Sequence, residues 1–283
     1  MRTVFSNPDK SDQIKRYWSD RARATEPSSA QATTYDVFLR RLEISTLKEK
    51  LEAASLPDGS TVVDLGCGDG YTTVSLAAEF PTVRFIGIDW SEEMLALARQ
   101  KLLTLEAPPG TVSFRLGDIR HLSADLHSGK FEVFLSVRSL INLTSSEEQY
   151  DTITQIAEHL TPGGYYFGIE DFLQGQRNFN HMRAAMGLPE LPVRWHNHFF
   201  DEEILLAETR NLFDPVALES FSSSYFLATR VIYSAGCHLM GVEPDYFHPI
   251  HRTAGMLPAI GDFSPIKLIC ARRKLCKEAL CAS

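Results

Sequence analysis

Cysteine, positive charge and long apolar segments are all scarce in this chain of 283 residues. Its five cysteines form no C-x-x-C pair, which predicts reduced thiols rather than a disulfide framework. A net charge of -8 argues against a nucleic-acid partner, because phosphate binding requires a basic face. No apolar run approaches the roughly 20 residues of a membrane helix, and no basic and apolar leader opens the chain. We therefore expect a cytoplasmic protein without nucleic-acid or membrane partners.

The chain also lacks the usual sequence patterns of a metal centre. Six of its nine histidines follow residue 170, yet they supply only the pairs His196-x-His198 and His248-x-x-His251. A catalytic metal needs three or four converging ligands, often in a spacing such as H-E-x-x-H. The histidine spacing therefore predicts no bound metal. With 44% hydrophobic and 23% charged residues, the composition predicts a soluble, globular chain with a sizeable core.

The most informative feature is the run VVDLGCGDG at positions 62 to 70. A buried-strand pattern over 61–65 leads into three glycines within five residues, and a helix pattern follows from Tyr71. Such glycines allow positive φ and let a ligand approach the backbone. The dinucleotide fingerprint G-x-G-x-x-G requires its third glycine at position 71, but this chain has it at Gly70. This spacing argues against a nicotinamide cofactor.

Further strand patterns follow at regular intervals. The pattern over 83–88 ends at Asp89, 19 residues after the last glycine of the turn. A carboxylate about 20 residues beyond such a turn, at the tip of the second strand, accepts hydrogen bonds from ribose hydroxyls. Strand patterns at 112–116 and 131–137 come next, followed by the turn LTPGG at 160–164 and a fifth strand, YYFGIE.

This order of motifs resembles the class I S-adenosylmethionine (SAM) dependent methyltransferases of the small-molecule type. The resemblance is firm over about residues 60 to 170 and looser elsewhere. It implies an α/β fold, with a Rossmann-like seven-stranded sheet that is mostly parallel, has an antiparallel last strand and is flanked by helices. The implied cofactor is SAM.

The resemblance also implies which residues hold the cofactor. The acidic residue two before the first glycine would help to hold the SAM amino group, and the glycines would approach its methionine portion. The two later carboxylates would bind the ribose and the adenine amine. An aromatic and basic segment, YWSDRA, would fold over the cofactor, the alternative being a helix packed on the sheet edge. The implied cofactor residues are Tyr17, Arg21, Asp64, Gly66, Cys67, Gly68, Gly70, Asp89, Trp90, Met94, Asp118, Ile119, Ser136 and Val137.

The chain begins with a predicted N-terminal helical cap over residues 1–55. Apolar periodicity predicts helices at 11–24 and 35–54, and the polar residues 28–30 link them. Residues 56–283 are the expected SAM-binding methyltransferase core.

Two irregular stretches interrupt the second half of this core, at 171–200 and 222–261. Both are too long for ordinary loops, and we expect them to form a lid over the acceptor. Between and after them, the patterns predict a helix at 201–209 and strands at 215–221 and 264–272.

The acceptor pocket is expected beyond the carboxyl ends of the strands, where open α/β sheets bind ligands. An amine attacks the methyl group once it is deprotonated and well placed, whereas an alcohol benefits from a general base by about 10² to 10⁴ in rate. His196 and Glu170 are the candidate catalytic residues, and the alternative for Glu170 is to position an acceptor amine. The candidate substrate residues are Arg138, Asn142, Trp195, Asn197, Tyr225 and Arg230. Structural alternatives stay open, namely an ion pair of Arg138 with a core or lid carboxylate and a packing role for Tyr225 and Arg230.

The stretches RSLINL and WHN, with LTPGG between them, resemble more loosely the bacterial methyltransferases of polysaccharide and metabolite pathways. This resemblance implies transfer of a methyl group to O or N of a small polar acceptor, such as a sugar or a nucleotide-linked sugar. The alternatives are a SAM-binding accessory or sensor protein without transfer activity and an NAD-dependent oxidoreductase, which Tyr71 opposes. A homodimer stays open as the assembly.

Overall fold

The computed structural model describes residues 8–26, 29, 32–104, 111–126 and 129–275. Most of the predicted link at 28–30, together with Cys276 and Cys281, therefore lies outside the described residues. The strands are Thr61–Leu65 (β1), Arg84–Asp89 (β2), Val112–Leu116 (β3), Phe131–Val137 (β4), Leu160–Asp171 (β5), Phe213–Glu219 (β6) and Ile266–Arg273 (β7). The α-helices are Pro8–Arg23 (α1), Val37–Ala54 (α2), Tyr71–Glu79 (α3), Glu92–Thr104 (α4), Leu122–Leu126 (α5), Ser146–His159 (α6), Leu173–Ala185 (α7), Glu202–Thr209 (α8), Ser223–Phe226 (α9), Tyr233–Met240 (α10) and Pro249–Ala254 (α11).

The seven strands form one sheet in the order β3-β2-β1-β4-β5-β7-β6. Strands β1 to β5 pair in parallel, and β7 pairs antiparallel with both β5 and β6. The predicted fold, a mostly parallel sheet with an antiparallel last strand, is confirmed. The strand order reverses direction between β1 and β4, so the carboxyl ends of these two strands open a crevice at the centre of the sheet.

The central strand β1 shows why the sequence selects this arrangement. All five of its residues are buried, and its side chains alternate between two hydrophobic clusters. Val63 and Leu65 pack in one cluster with Phe134, whereas Val62 packs in the other with Leu76. Because helices cover both faces of the sheet, a strand near its centre is mostly apolar instead of alternating with polar residues, and in β1 the exceptions are Thr61 and Asp64.

Most predicted elements lie where the sequence patterns placed them. The bounds of β1, β3 and β4 are those predicted, and the other predicted helices and strands shift by a few residues. Residues 160–164 differ more, since LTPGG belongs to an extended β5 in which Leu160 pairs with Phe131 before a register shift. The turn expected there is therefore an irregularity within a strand.

The two irregular stretches contain helices that the sequence patterns did not resolve. The first includes α7 and then runs without regular structure toward Phe200, which bridges to Phe172. The second includes α9, a π-helical segment at Leu227–Ile232, α10 and α11. Within the described ranges, no helix combines the length and the apolar character required to cross a membrane.

Candidate functional site

A cleft of about 330 Å³ lies beyond the carboxyl ends of the central strands. Its lining comes from α1, the start of α2, the turns after β1, β2, β3 and β4, the end of β5 and both insertions. Since β2 and β3 lie on one side of β1, and β4 and β5 on the other, the cleft has two halves. The half at β1 to β3 contains most of the predicted cofactor residues and is called the cofactor half below. The half at β4 and β5 is called the acceptor half.

The glycine turn after β1 brings bare backbone to the cleft. Gly66 and Gly68 line it with φ of 64° and 54°, which are left-handed values that favour glycine. A Cβ at Gly66 would lie 2.4 Å from the Cβ of Ser139, so the turn packs directly on the turn after β4. Gly70 has a different surrounding, because a Cβ there would lie 2.6 Å from the Cβ of Ala98 on α4. Gly70, the third glycine, is predicted to approach the cofactor, but it packs against α4 and lies outside the cleft lining.

Two carboxylates lie at the ends of neighbouring strands beside this turn. The hydroxyl of Thr73 donates to Asp64 Oδ2 at 2.5 Å, and the backbone amides of Gly68 and Ser91 each donate to one oxygen of Asp89 at 2.9 Å. Burial raises the pKa of Asp64 to about 7 and that of Asp89 to about 6. Both side chains line the cleft, so a ligand that carries a cation or hydroxyl donors would favour their ionised forms.

Apolar side chains line the cleft next to Asp89. Trp90, Met94 and Ile119 are in the lining, as predicted for the cofactor half, and so is the Cys67 residue of the glycine turn. Asp118 is outside the lining and forms an ion pair with Arg120. Burial opposes ionisation of Asp118, but the hydrogen bonds from Arg120 outweigh it and lower its pKa.

Helix α1 covers the cofactor half through Trp18 and Arg21. Trp18 packs with Met94 and Leu97 of α4, and its indole Nε1 donates to Asn142 Oδ1 at 3.0 Å. The guanidinium of Arg21 lies over the ring of Tyr35 and donates to the backbone oxygen of Ala32 at 2.9 Å. The segment therefore lines the cleft through Trp18 and Arg21 and packs on α4.

The predicted Tyr17 lies behind this cover. Its ring stacks on that of His196 with centroids 4.7 Å apart. Trp195 also contacts Tyr17, edge-on at 5.8 Å, and is 52% exposed outside the cleft lining. Tyr17 and Trp195 thus support His196 from outside the cleft lining.

His196 lines the cleft with a buried imidazole whose Nδ1 has no hydrogen-bond partner in the described part of the chain. Burial lowers its pKa to about 4, and the positive charges of Arg194, Arg21 and Lys10 act in the same direction. The imidazole is therefore neutral at neutral pH, the form that accepts a proton. Asn197, the next residue, also lines the cleft.

The turn after β4 positions polar groups at the centre of the cleft. Val137, Arg138 and Asn142 line it, whereas Ser136 is fully buried and donates to Glu170 Oε1 at 2.8 Å. The backbone of Arg138 is left-handed, with φ of 52°, and Asn142 Nδ2 donates to its carbonyl at 2.9 Å. Arg138 pairs with Glu43 of α2. Arg138 therefore lines the cleft and also forms the ion pair of the structural alternative, with Glu43 and not Glu170 as its partner.

Glu170, a candidate catalytic residue, is fully buried and outside the cleft lining. Its carboxylate accepts hydrogen bonds from the Ser136 hydroxyl and from the backbone amides of Leu140 and Ile141. Burial raises its pKa to about 7. Through these contacts Glu170 holds the turn after β4, and both of its oxygens accept hydrogen bonds from that turn.

The second insertion is joined to α2 by a buried polar cluster around Asp36. Arg230, which lines the cleft, forms an ion pair with Asp36. Tyr225 lies behind it, where its hydroxyl donates to Asp36 Oδ1 at 2.7 Å and lies 3.0 Å from His251 Nδ1. Of these two predicted substrate residues, Arg230 lines the cleft and Tyr225 lies outside its lining.

Several cleft residues escaped the sequence analysis. They carry charge and come from elements that the motifs do not mark, namely Asp36, Arg40, Glu43, Asp171 and Arg194. Arg40 is buried and pairs with Asp69 inside the glycine turn, and Lys101 lies 3.3 Å from the same carboxylate. The polar positions of α2 that interrupt its apolar stripe were the one available signal for Arg40 and Glu43.

The comparisons with known proteins agree with this geometry. Residues 62–164 match the family model of a methyltransferase domain. A trans-aconitate 2-methyltransferase of Variovorax paradoxus is 51% identical over 55 residues, which are 19% of this chain and 21% of that protein. A trans-aconitate 2-methyltransferase of Deinococcus radiodurans is 37% identical over 103 residues, which are 36% of this chain and 34% of that protein. The chain thus spans about a fifth to a third of the length of these curated relatives.

The fold extends over more of the chain than these sequence matches. The magnesium protoporphyrin IX methyltransferase of Synechocystis, crystallised with S-adenosylhomocysteine (SAH), superposes with a TM-score of 0.58. The alignment covers 93% of this chain and 98% of that chain at 16% identity, and it shows the shared fold.

Proposed function

We propose that this chain, whose residues 62–164 form a methyltransferase domain in a class I fold, transfers a methyl group from SAM to a small polar acceptor. The observation that carries the proposal is the pair of buried carboxylates, Asp64 and Asp89, at adjacent strand ends beside a glycine turn that lines the cleft. The relatives named above are methyltransferases, in accord with this reading.

The cofactor half of the cleft fits SAM in charge and in polarity. Thr73 is the side-chain donor to Asp64 among the described residues, so lone pairs remain for an ammonium group. Asp89 retains acceptor capacity for ribose hydroxyls, and Trp90, Met94 and Ile119 offer an apolar wall for a purine. When bound, SAM supplies an electrophilic methyl group, and the chain's own residues align the acceptor with it.

For the acceptor, we propose a sugar or nucleotide-linked sugar that is methylated at O or N. The acceptor half lines the cleft with aromatic side chains, Phe179, Phe226 and Tyr246, together with the amides of Gln176 and Asn197. This combination suits a ring that carries hydroxyl or amino groups. For a hydroxyl acceptor, His196 is the proposed base, because its imidazole is neutral and reaches the cleft.

A second candidate is methylation of a carboxylate. It is favoured by the guanidinium groups of Arg138 and Arg194 in the cleft lining and by relatives named for trans-aconitate, itself a carboxylate.

We also propose that residues 1–55 act as a cap on the core at 56–283, and that the insertions 171–200 and 222–261 form its acceptor lid.

Isothermal titration with SAM tests the cofactor assignment. We expect saturable binding to the unmodified chain and loss of binding in Asp89→Ala and in Gly68→Val. Unchanged binding in both variants would contradict the proposal, and competition by NAD would favour an oxidoreductase.

Transfer of a radiolabelled methyl group from SAM tests the activity. The acceptor panel contains sugars, nucleotide sugars, amines and carboxylates that include trans-aconitate. Label in the sugars or nucleotide sugars supports the first acceptor class, and label in the carboxylates alone supports the second. SAM binding without transfer to any member supports an accessory or sensor protein.

A further inference from the structure

In the acceptor half, two buried carboxylates, Glu43 and Asp171, lie near the partly exposed guanidinium of Arg138. Arg138 Nε lies 3.1 Å from Glu43 Oε1, and its Nη2 donates to Glu43 Oε2 at 3.2 Å. Asp171, at the carboxyl end of β5, is 6% exposed and lines the same cleft. Its carboxylate accepts no hydrogen bond and forms no ion pair within residues 8–26, 29, 32–104, 111–126 and 129–275. Asp171 is therefore a buried, unpartnered carboxylate at the wall of a ligand cleft.

Glu170, the preceding residue, is a buried carboxylate whose oxygens accept hydrogen bonds from the chain itself. Glu170 is also buried, on the opposite face of β5, and three donors surround its oxygens. A buried carboxylate without donors costs free energy unless a ligand provides them. The two neighbours thus differ in one respect, because the chain supplies hydrogen-bond donors to Glu170, whereas the carboxylate of Asp171 has no donor from the described residues and is open to the cleft.

The electrostatics of the cluster indicate what that ligand carries. The charges that act on Asp171 are those of Arg138, Glu43 and Arg194. Arg194 is exposed, so solvent screens its charge. With both carboxylates ionised, Glu43, Asp171 and the partly exposed Arg138 sum to one negative charge. Burial raises the pKa of Asp171 to about 7, which reflects the same lack of a partner.

The backbone beside the cluster is held in a strained conformation. Arg138 has φ of 52°, an unfavourable left-handed value for a residue with a long side chain. Its amide donates to Ile169 at 2.7 Å, and its carbonyl accepts from Asn142, so neighbouring elements hold this conformation. Such strain occurs frequently at ligand sites, where it aims a side chain. Here it directs the guanidinium to Glu43 and leaves Asp171 facing the cleft.

We propose that Asp171 binds a cationic amine of the acceptor, beside the ion pair of Glu43 and Arg138. The inference rests on the proposed function and narrows its acceptor to amine-bearing molecules such as amino sugars. An ammonium group supplies both the missing donors and the missing positive charge. A neutral hydroxyl supplies donors alone, and a carboxylate would add to the negative charge.

The first experiment measures urea denaturation at pH 8 in the absence of ligand. Asp171→Asn is expected to keep or raise the midpoint, because it removes a desolvated charge that has no donor. Glu170→Gln is expected to lower the midpoint, because its amide would face a backbone N–H donor. A midpoint of Asp171→Asn below that of the unmodified chain would overturn the inference, since Asp171 would then have a structural partner.

The second experiment measures the thermal shift of SAH-saturated protein with probes matched in size. The probes are ethanolamine against ethylene glycol and D-glucosamine against D-glucose, each at millimolar concentration. We expect the amine of each pair to raise the melting temperature more than its alcohol, and this preference to disappear in Asp171→Asn. Asp151→Asn, which removes an exposed carboxylate of α6 outside the cleft, should keep it.

The outcomes distinguish a failure of the amine assignment from a failure of the proposed cofactor. Equal shifts for amines and alcohols, no shift with any amine, or a preference that survives in Asp171→Asn would overturn the amine assignment. A failure of SAH itself to raise the melting temperature of the unmodified chain would instead contradict the proposed cofactor.

Discussion

The carboxylates Asp64 and Asp89 give the proposed cofactor site a pH dependence. In the free chain, burial raises their pKa values to about 7 and about 6, so both groups hold protons when the pH falls below these values. An ammonium group and ribose hydroxyls favour the ionised carboxylates, and binding must then release those protons. We expect SAH affinity to rise as the pH increases from 5 to about 8, one unit above the pKa of Asp64, and to level off beyond it. Isothermal titration across this range measures the effect.

The matched control is Asp64→Asn, which removes one of the two titrating groups. Its affinity should be lower at pH 7.5 and should depend less on pH than that of the unmodified chain. Titrations in two buffers of different ionisation enthalpy report the protons released. Proton uptake on SAH binding between pH 5.5 and 7 would contradict the assignment.

His196 has the opposite shift, because burial lowers its pKa to about 4. A base with that pKa is already deprotonated at pH 5, so its titration cannot limit turnover near pH 6.5. We expect His196→Ala to lower kcat by about 10² or more for a hydroxyl acceptor while SAM affinity changes little. Wild-type kcat at saturating substrates in this variant would remove His196 as the base.

At the scale of elements, two glycines of one turn serve different purposes. Gly68 lines the cleft, and a Cβ there would lie 3.1 Å from Thr33, whereas a Cβ at Gly70 would lie 2.6 Å from Ala98 and 2.7 Å from Phe114. Gly70→Ala should therefore destabilise the packing of α3 against α4 and β3. Gly68→Ala should mainly weaken SAH binding, because the added methyl group is on the cleft side.

Melting temperatures and SAH titrations of both variants check this contrast. Each residue has positive φ, so both variants share a strain of about 1 kcal/mol or more. The difference between them then reports the neighbours alone. Equal loss of stability and equal loss of affinity in the two variants would show that the turn acts as one unit.

At the scale of the whole molecule, Asp36 joins distant parts of the chain. Its Oδ1 accepts from the amide of Leu39 as the N-cap of α2, and the same carboxylate binds Arg230 and Tyr225 of the second insertion. We expect Asp36→Ala to lower the free energy of unfolding by about 1 kcal/mol for the cap. Loss of the buried partner of Arg230 should lower the free energy of unfolding by a further amount of about 3–5 kcal/mol.

Asp36→Asn separates these contributions, because asparagine also caps helices but carries no charge. Urea denaturation of the two variants should place Asp36→Asn between Asp36→Ala and the unmodified chain. Equal stability of all three proteins would show that the insertion is not held through Asp36.

The sheet could be predicted from sequence because its signals are local. A strand buried on both faces is a short apolar run, and the glycine turn and Asp89 follow such runs directly. Local signals did not predict which of the two adjacent carboxylates, Glu170 and Asp171, lines the cleft. Adjacent residues of a strand point to opposite faces, so the choice between them depends on the register of β5 against β4 and β7.

By itself, the sequence determined the fold class and most of the element positions. It also pointed to four residues that line the cleft, Asp64, Gly66, Gly68 and Asp89, since each lies within or just after a recognisable strand, whereas the predicted Gly70 and Asp118 lie outside the lining. The tertiary structure alone decided the acceptor half. There Glu43, Arg138 and Asp171 come from α2 and the ends of β4 and β5, and they meet only because the sheet brings these strand ends together under α2. The physical reason is that charge pairing and desolvation act through space, and no short-range pattern along the chain records which distant residues will share a buried site.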